Sequence, residues 1–138
     1  MSNYLPRHME EIKEYSKTKI ACNQFELHPL YQEEETIKYC EANDIQIVAY
    51  CSLMRNKPTL MENKVVLEVA EKNNRTVGEV LLRWALGHNY SVIPKSMTPE
   101  RQELNLKVLD FELSEEDMLR LDKLNCMEKF SWNPKEVA

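Results

Sequence analysis

Glycine is nearly missing: the 138 residues contain two, Gly78 and Gly87, where a typical chain is about 7% glycine. That shortage excludes any site built on a glycine-rich loop, including a GxGxxG turn, a Walker A loop and a nucleophile elbow. An excess of positive charge is missing too. Lys and Arg total 18 against 23 Asp and Glu, a formal net charge of −5. The basic residues are interleaved with acidic ones, so a nucleic-acid surface, which needs clustered cations, is not expected. No apolar run approaches the roughly 20 residues that cross a bilayer. The opening MSNYLPRHMEE has neither the basic nor the apolar region of a secretion signal. The four cysteines, Cys22, Cys40, Cys51 and Cys126, form no CxxC pair, so no metal site is expected. Reduced thiols in a cytoplasmic protein are the simplest reading.

What is present is material for a core. The chain is 43% hydrophobic and 30% charged, and a globular chain of this length buries about two-thirds of its unfolded surface. Disordered and membrane classes do not fit. Residues 1–138 contain no repeat, low-complexity tract or linker and are read as a single domain with a tail at 126–138.

Periodicity predicts helices at 4–16, started by Asn3 and Pro6, and at 32–42, with Glu33, Glu34 and Glu35 on its surface. Further helices are predicted at 63–73, from the Thr76–Glu79 capping box to Gly87, from Thr98-Pro99, and from Ser114 with Met118, Leu121 and Leu124 inward. Strands are predicted at 19–27, at 45–51 with both faces covered, and at 91–94. Tyr4 and Tyr15 are read as packing residues. Strands alternating with helices imply parallel pairing through right-handed crossovers. The fold class is therefore α/β, with about three parallel strands.

In such folds functional residues gather at the C-terminal ends of the strands. Three clusters lie there: Asn23-Gln24 through His28, Tyr50-Cys51-Ser52-Leu53, and Lys95-Ser96 through Asn105. The third brings Lys95, Ser96 and Arg101 to a helix start at Thr98, an anion site that needs no glycine. Spacing alone leaves open a solvated Lys and Arg beside an ordinary capped helix. Cys51 is the cysteine to test for reactivity, an inert buried thiol being the competing reading.

VIPKSMTPERQELNLKV (92–108), NQFELHP (23–29), VAYCSL (48–53) and the opening Ser2-Asn3-Tyr4 resemble the aldo-keto reductases, NADP-dependent (β/α)8-barrel oxidoreductases. Four separated motifs agree in the family's order across nearly the whole chain. The chain resembles only the C-terminal half of such a barrel, from just after its fifth strand, since a complete one needs about 250 residues. The resemblance implies NADP(H) as cofactor and a small carbonyl compound as substrate. Ser2, Asn3 and Gln24 match the residues that bond the nicotinamide carboxamide, and Tyr50 the ring that stacks on the nicotinamide. Cys51, Ser52 and Leu53 follow Tyr50 in the cofactor-binding stretch. Lys95, Ser96 and Arg101 match the holders of the 2′-phosphate, with Met97 and Thr98 in the same loop, and Asn105 lies near the adenine. The tail residues Phe130 and Trp132 match a segment that closes over the substrate.

Two positions depart from the family. Leu104 stands where a Glu or Gln bonds the adenine, a lost directional contact worth roughly 1 kcal/mol, and Cys51 stands where Ser is common. The family's catalytic Tyr, Lys, Asp and His come from the missing half. No residue here matches them: Tyr50 is the stacking Tyr, and His28 is structural. The resemblance therefore implies a truncated reductase, inactive alone. A non-catalytic half-barrel that self-associates or binds a partner through its open edges is the alternative. A different phosphate-binding α/β domain is the third reading.

Overall fold

The computed structural model describes residues 1–133, so positions 134–138 of the expected tail lie outside the described residues. The elements run α1 (Pro6–Tyr15), β1 (Cys22–Glu26), α2 (Glu34–Ala42), β2 (Gln46–Tyr50), α3 (Pro58–Met61), α4 (Lys64–Lys72), α5 (Val77–Gly87), β3 (Ser91–Val92), α6 (Pro99–Leu106) and α7 (Glu115–Asp122). Single 3-10 turns sit at Met54–Asn56 and Lys107–Leu109.

The three strands form one parallel sheet in the order β1-β2-β3. Glu26 pairs with Tyr50, and Ala49 with Val92, so the C-terminal ends of all three strands share one edge of the sheet. Outside β1 the first residues add a short parallel bridge. The Asn3 amide donates to the Gln24 carbonyl at 2.8 Å, and the Gln24 amide donates to the Met1 carbonyl at 2.9 Å.

Apolar side chains at helical spacing build the core on one face of the sheet. Val66, Val69 and Ala70 of α4 and Val80, Leu81, Trp84 and Ala85 of α5 join Phe25, Ile47 and Ala49 of the strands. Capping fixes where these helices begin. Asn63 Oδ1 accepts from the Val65 amide at 3.0 Å. Thr76 and Glu79 exchange backbone-to-side-chain bonds at 2.9 and 3.2 Å, the predicted capping box. Ser114 Oγ accepts from the Asp117 amide at 3.2 Å. The buried Asp117 carboxylate in turn accepts from Lys72 Nζ at 2.9 Å, tying α7 to α4.

The helix ends explain the glycine shortage. Asp44, Asn74 and Asn89 hold left-handed φ values of 55°, 51° and 61°. Each sits one residue past a helix cap and donates to the carbonyl three residues back. The next residue donates to the carbonyl five back, as in Tyr90 N to Ala85 O at 3.0 Å. These are Schellman caps, with Asn or Asp in the place glycine usually takes.

Gly87 does not end α5 through a left-handed φ, since no glycine has one. A Cβ there would meet the Met118 side chain at 2.8 Å, so close packing against α7 is its role. Helix α1 starts at Leu5 rather than Asn3, whose φ of 58° belongs to the bridge beside β1. His8 Nδ1 accepts from the Leu5 amide at 3.2 Å and sets that start. Strand β2 has one covered face: Ile47 and Ala49 are buried, while Gln46, Val48 and Tyr50 are not. Strand β3 is two residues long, and Leu124 lies beyond α7. Glu33 is buried, its Oε1 accepting from the Tyr31 hydroxyl at 2.7 Å. Tyr15 is 74% exposed and packs little. The short helix α3, started by Pro58 at its first turn, lies between the predicted strand at 45–51 and helix at 63–73, where no element is predicted.

Candidate functional site

A groove of about 790 Å³ opens at the C-terminal ends of the strands, within the 300–1,000 Å³ typical of ligand sites. One wall follows β2, where Tyr50, Cys51, Ser52 and Leu53 line it. The chain then turns through left-handed values at Cys51, Met54, Arg55 and Asn56. Such backbone costs energy for non-glycine residues and clusters at functional sites. Here the buried Met54 anchors the turn in the core.

The opposite wall is the β3–α6 connection, with Lys95, Ser96, Met97 and Thr98, continued by Arg101, Leu104 and Asn105 of α6. Thr98 occupies the N-cap position, but its hydroxyl makes no capping bond. The loop is pinned by Ser96 instead. Its Oγ accepts from the Thr98 amide at 3.1 Å, and its carbonyl accepts from Gln102 Nε2 at 3.0 Å. Lys95 and Arg101 are exposed, and among the described residues neither forms an ion pair. Other cations behave differently: Arg75, Arg83 and Lys72 each face a carboxylate. Two unpaired cations beside a helix start suit a phosphate dianion.

The structure brings these two walls together. Ser2 and Asn3, beside β1, and Gln24, within it, lie outside the groove lining and reach it through one side chain: the Tyr50 hydroxyl is 3.1 Å from Asn3 Oδ1. Ser52 is buried, with its hydroxyl bonded to the Ala49 carbonyl at 3.2 Å. Burial pushes the Cys51 thiol up, and the Glu26 charge adds to that, outweighing Arg55 and Lys129. A protonated thiol is a poor nucleophile, although Cys51 is half-buried rather than buried and lines the groove. Burial and the Glu26 charge likewise push the Tyr50 hydroxyl up, against its contacts with Ser131 Oγ and Asn3 Oδ1. Among the described residues no cluster of His, Cys, Asp and Glu is arranged to hold a metal.

Glu26 escaped the sequence reading. It ends β1 with a fully buried carboxylate, which receives the amides of Phe130 and Ser131 at 2.6 and 2.8 Å. The Ser131 hydroxyl, His28 Nε2 at 3.1 Å and Lys129 Nζ at 3.3 Å complete the shell. Burial alone would raise the carboxyl, but these donors win and hold it at about 2. The signal was a lone acid in the apolar run IACNQFEL. Its partner segment lay more than a hundred positions away, beyond any local pattern. Phe130 lies under Lys57, 4.1 Å from its ring, with Arg55 at 5.6 Å. Trp132 is exposed.

The Aldo/keto reductase family matches residues 1–126. Glyoxal reductase of Bacillus subtilis is 39% identical over 137 residues, covering 99% of this chain and 49% of that protein. Aldo-keto reductase family 1 member A1 of Sus scrofa is 36% identical over 91% of this chain and 41% of its own length. A crystal structure of an aldo-keto reductase from a Medee basin deep-sea metagenome library superposes with a TM-score of 0.93 at 34% identity, covering 99% of this chain and 52% of that one. The chain spans about half the length of the curated relatives it matches. Its three parallel strands and flanking helices are part of the barrel those neighbours carry. With a family match over nearly its whole length and a superposing fold, this chain belongs to the aldo/keto reductase family.

Proposed function

We propose that this chain is the cofactor-binding half of an NADP(H)-dependent reductase of aldehydes and ketones, working in the cytoplasm. The observation that supports this reading is the pair of unpaired cations, Lys95 and Arg101, facing Tyr50 across a groove of ligand size. The groove fits the cofactor chemically. Lys95, Arg101 and Ser96 would take the 2′-phosphate, a dianion that suits an ammonium and a planar guanidinium together. Met97 and Thr98 would line the same loop, and Asn105 would meet the adenine, with Leu104 offering apolar contact only. The Tyr50 ring, flanked by Cys51, Ser52 and Leu53, would stack on the nicotinamide, while Ser2, Asn3 and Gln24 would bond its carboxamide. When bound, the cofactor supplies hydride to a carbonyl carbon.

Reduction also needs a proton for the carbonyl oxygen. Tyr50 is unsuited to give it, because its hydroxyl is raised and already engaged with Ser131 and Asn3. His28 is buried with its Nε2 committed to Glu26. The chain alone would therefore hold cofactor without turning over substrate. Calorimetry with NADPH, NADH and AMP tests this: NADPH should bind roughly tenfold or more tighter than NADH, the scale of one charge-assisted contact. Equal binding of all three would sink the reading, and turnover of an aldehyde by the monomer would sink the inactivity.

The second reading is a half-barrel that associates with a copy of itself. One sheet face is only half covered, and beyond β3 lie Ile93, Leu106 and Leu109, which are 51%, 71% and 68% exposed. Light scattering at high concentration decides it, since a clean monomer would remove it.

A further inference from the structure

We propose that Glu26 and Ser131 form a clamp that positions the Tyr50 ring for the nicotinamide end of the cofactor. This rests on the cofactor reading above and adds two positioning residues to it. Ser131 is the connection. Its amide and hydroxyl both go to the Glu26 carboxylate, and its Oγ lies 2.6 Å from the Tyr50 hydroxyl.

The proton order along this chain is fixed by chemistry. An ionised carboxylate only accepts, so Ser131 donates its hydroxyl proton to Glu26. Ser131 Oγ is then left to accept, and Tyr50 donates its one proton to it across 2.6 Å rather than to Asn3 Oδ1, which lies farther away at 3.1 Å. The resulting series runs from Tyr50 to Ser131 to Glu26. A hydroxyl bonded to an anion is a stronger acceptor than a free one. The phenol is thus held at its oxygen, 2.6 Å from a segment that is itself bonded by two backbone amides to the buried acid.

The rest of the surroundings serve the same hold. Lys129 Nζ contributes the balancing charge at 3.3 Å from Glu26 and lies 4.3 Å from the centre of the Tyr31 ring. Upstream, the amides of Cys126 and Glu128 donate to the Leu30 carbonyl at 3.2 and 3.0 Å. The tail is thus fixed before it reaches Tyr50. Ser131 also lines the groove, so it is placed to transmit the hold to a ligand. Among the described residues Glu26 is bonded to His28, Lys129, Phe130 and Ser131 and to nothing at the Lys95 and Arg101 end of the groove, so the clamp acts on one end of the cofactor.

The test compares two ligands on the intact chain: NADPH, and 2′-phospho-ADP-ribose, which keeps the 2′-phosphate and lacks the nicotinamide. Ser131→Ala and Glu26→Gln should weaken NADPH binding roughly three- to tenfold, the range of one lost hydrogen bond. The same variants should leave 2′-phospho-ADP-ribose unmoved, and Ser131→Thr, which keeps the hydroxyl, should restore NADPH binding. Amide hydrogen exchange should show Phe130 and Ser131 protected in the wild type and exposed in Glu26→Gln. Equal weakening of both ligands, or no change in either, would overturn the positioning role. If the wild type binds 2′-phospho-ADP-ribose but gains nothing from the nicotinamide, the clamp alone is wrong. If it binds neither, the cofactor reading is wrong and the positioning role falls with it.

Discussion

The two sides of the molecule solve opposite problems. On the side of α4, α5 and α7, every helix start is capped by a side chain, and the two buried acids are paired: Asp117 with Lys72, Glu79 with Arg75. Trp84 is buried between them with its Nε1 donating to Asp122 at 2.7 Å. On the groove side, α6 has no buried residue and its N-cap hydroxyl makes no capping bond, and Lys95 and Arg101 face no acid among the described residues. Satisfied polar groups add stability and leave nothing for a ligand. Unsatisfied ones are held open at small cost where water reaches them. The first side therefore holds the fold, and the second is available for binding.

The sharpest way to break this contrast is a substitution on each side. Trp84→Ala removes the largest fully buried side chain and leaves the Asp122 carboxylate one donor short. It should cost about 3–5 kcal/mol, read as a shift of the urea midpoint. A loss under 1 kcal/mol would mean that the folding role assigned to this side is misplaced.

Acid should act on the buried carboxylate that ends β1. Glu26 has a folded-state carboxyl near 2, below its ordinary 4.5. A depressed acid contributes stability above its unfolded value and loses it as pH falls. The window therefore runs from about pH 4.5 down to about pH 2, and the contribution is on the order of 3 kcal/mol. Glu26→Gln should flatten the acid limb of the stability curve across that window while leaving its shape above pH 6 unchanged. An identical acid limb in both proteins would contradict the donor shell described around Glu26.

On the groove side, Lys95→Ala and Arg101→Ala should leave the urea midpoint within about 0.5 kcal/mol and weaken NADPH roughly tenfold each. Calorimetry on the same samples reads both. A stability loss like that of Trp84→Ala would show that these cations serve the fold after all.

The legible parts of this structure are the ones written in local pattern. The Thr76–Glu79 box, the Ser114 start and the apolar stripe of α5 are each contained within a few residues, and each appears where periodicity puts it. The order of strands and helices followed from the same signals, and two of the four short motifs, 48–53 and 92–108, supply the groove walls. What sequence could not show was non-local. Glu26 reads as one acid in a strand until Phe130 and Ser131 arrive from the far end of the chain. Glu33 reads as part of an acidic surface run until Tyr31 folds back onto it. The covering of β2 depends on which neighbours reach each face, information that a strand's own residues do not contain.

The helix ends give the finest comparison, between a residue that tolerates left-handed backbone and one that prefers it. Asn89 holds φ 61° past α5, and its carbonyl accepts from Gln46 Nε2 at 2.9 Å. Asn reaches this region at modest cost because its short polar side chain bonds locally; Ala, with a bare Cβ, does not. Asn89→Ala should therefore cost about 0.5–1 kcal/mol, while Asn89→Gly should be neutral or slightly stabilising, its relief of backbone strain set against a more flexible unfolded chain. Both are small shifts of the thermal midpoint, measurable side by side. The order is the point of the test: if Ala were tolerated better than Gly, the left-handed cap would not be what ends α5, and Asn would not be standing in for the glycines this chain lacks.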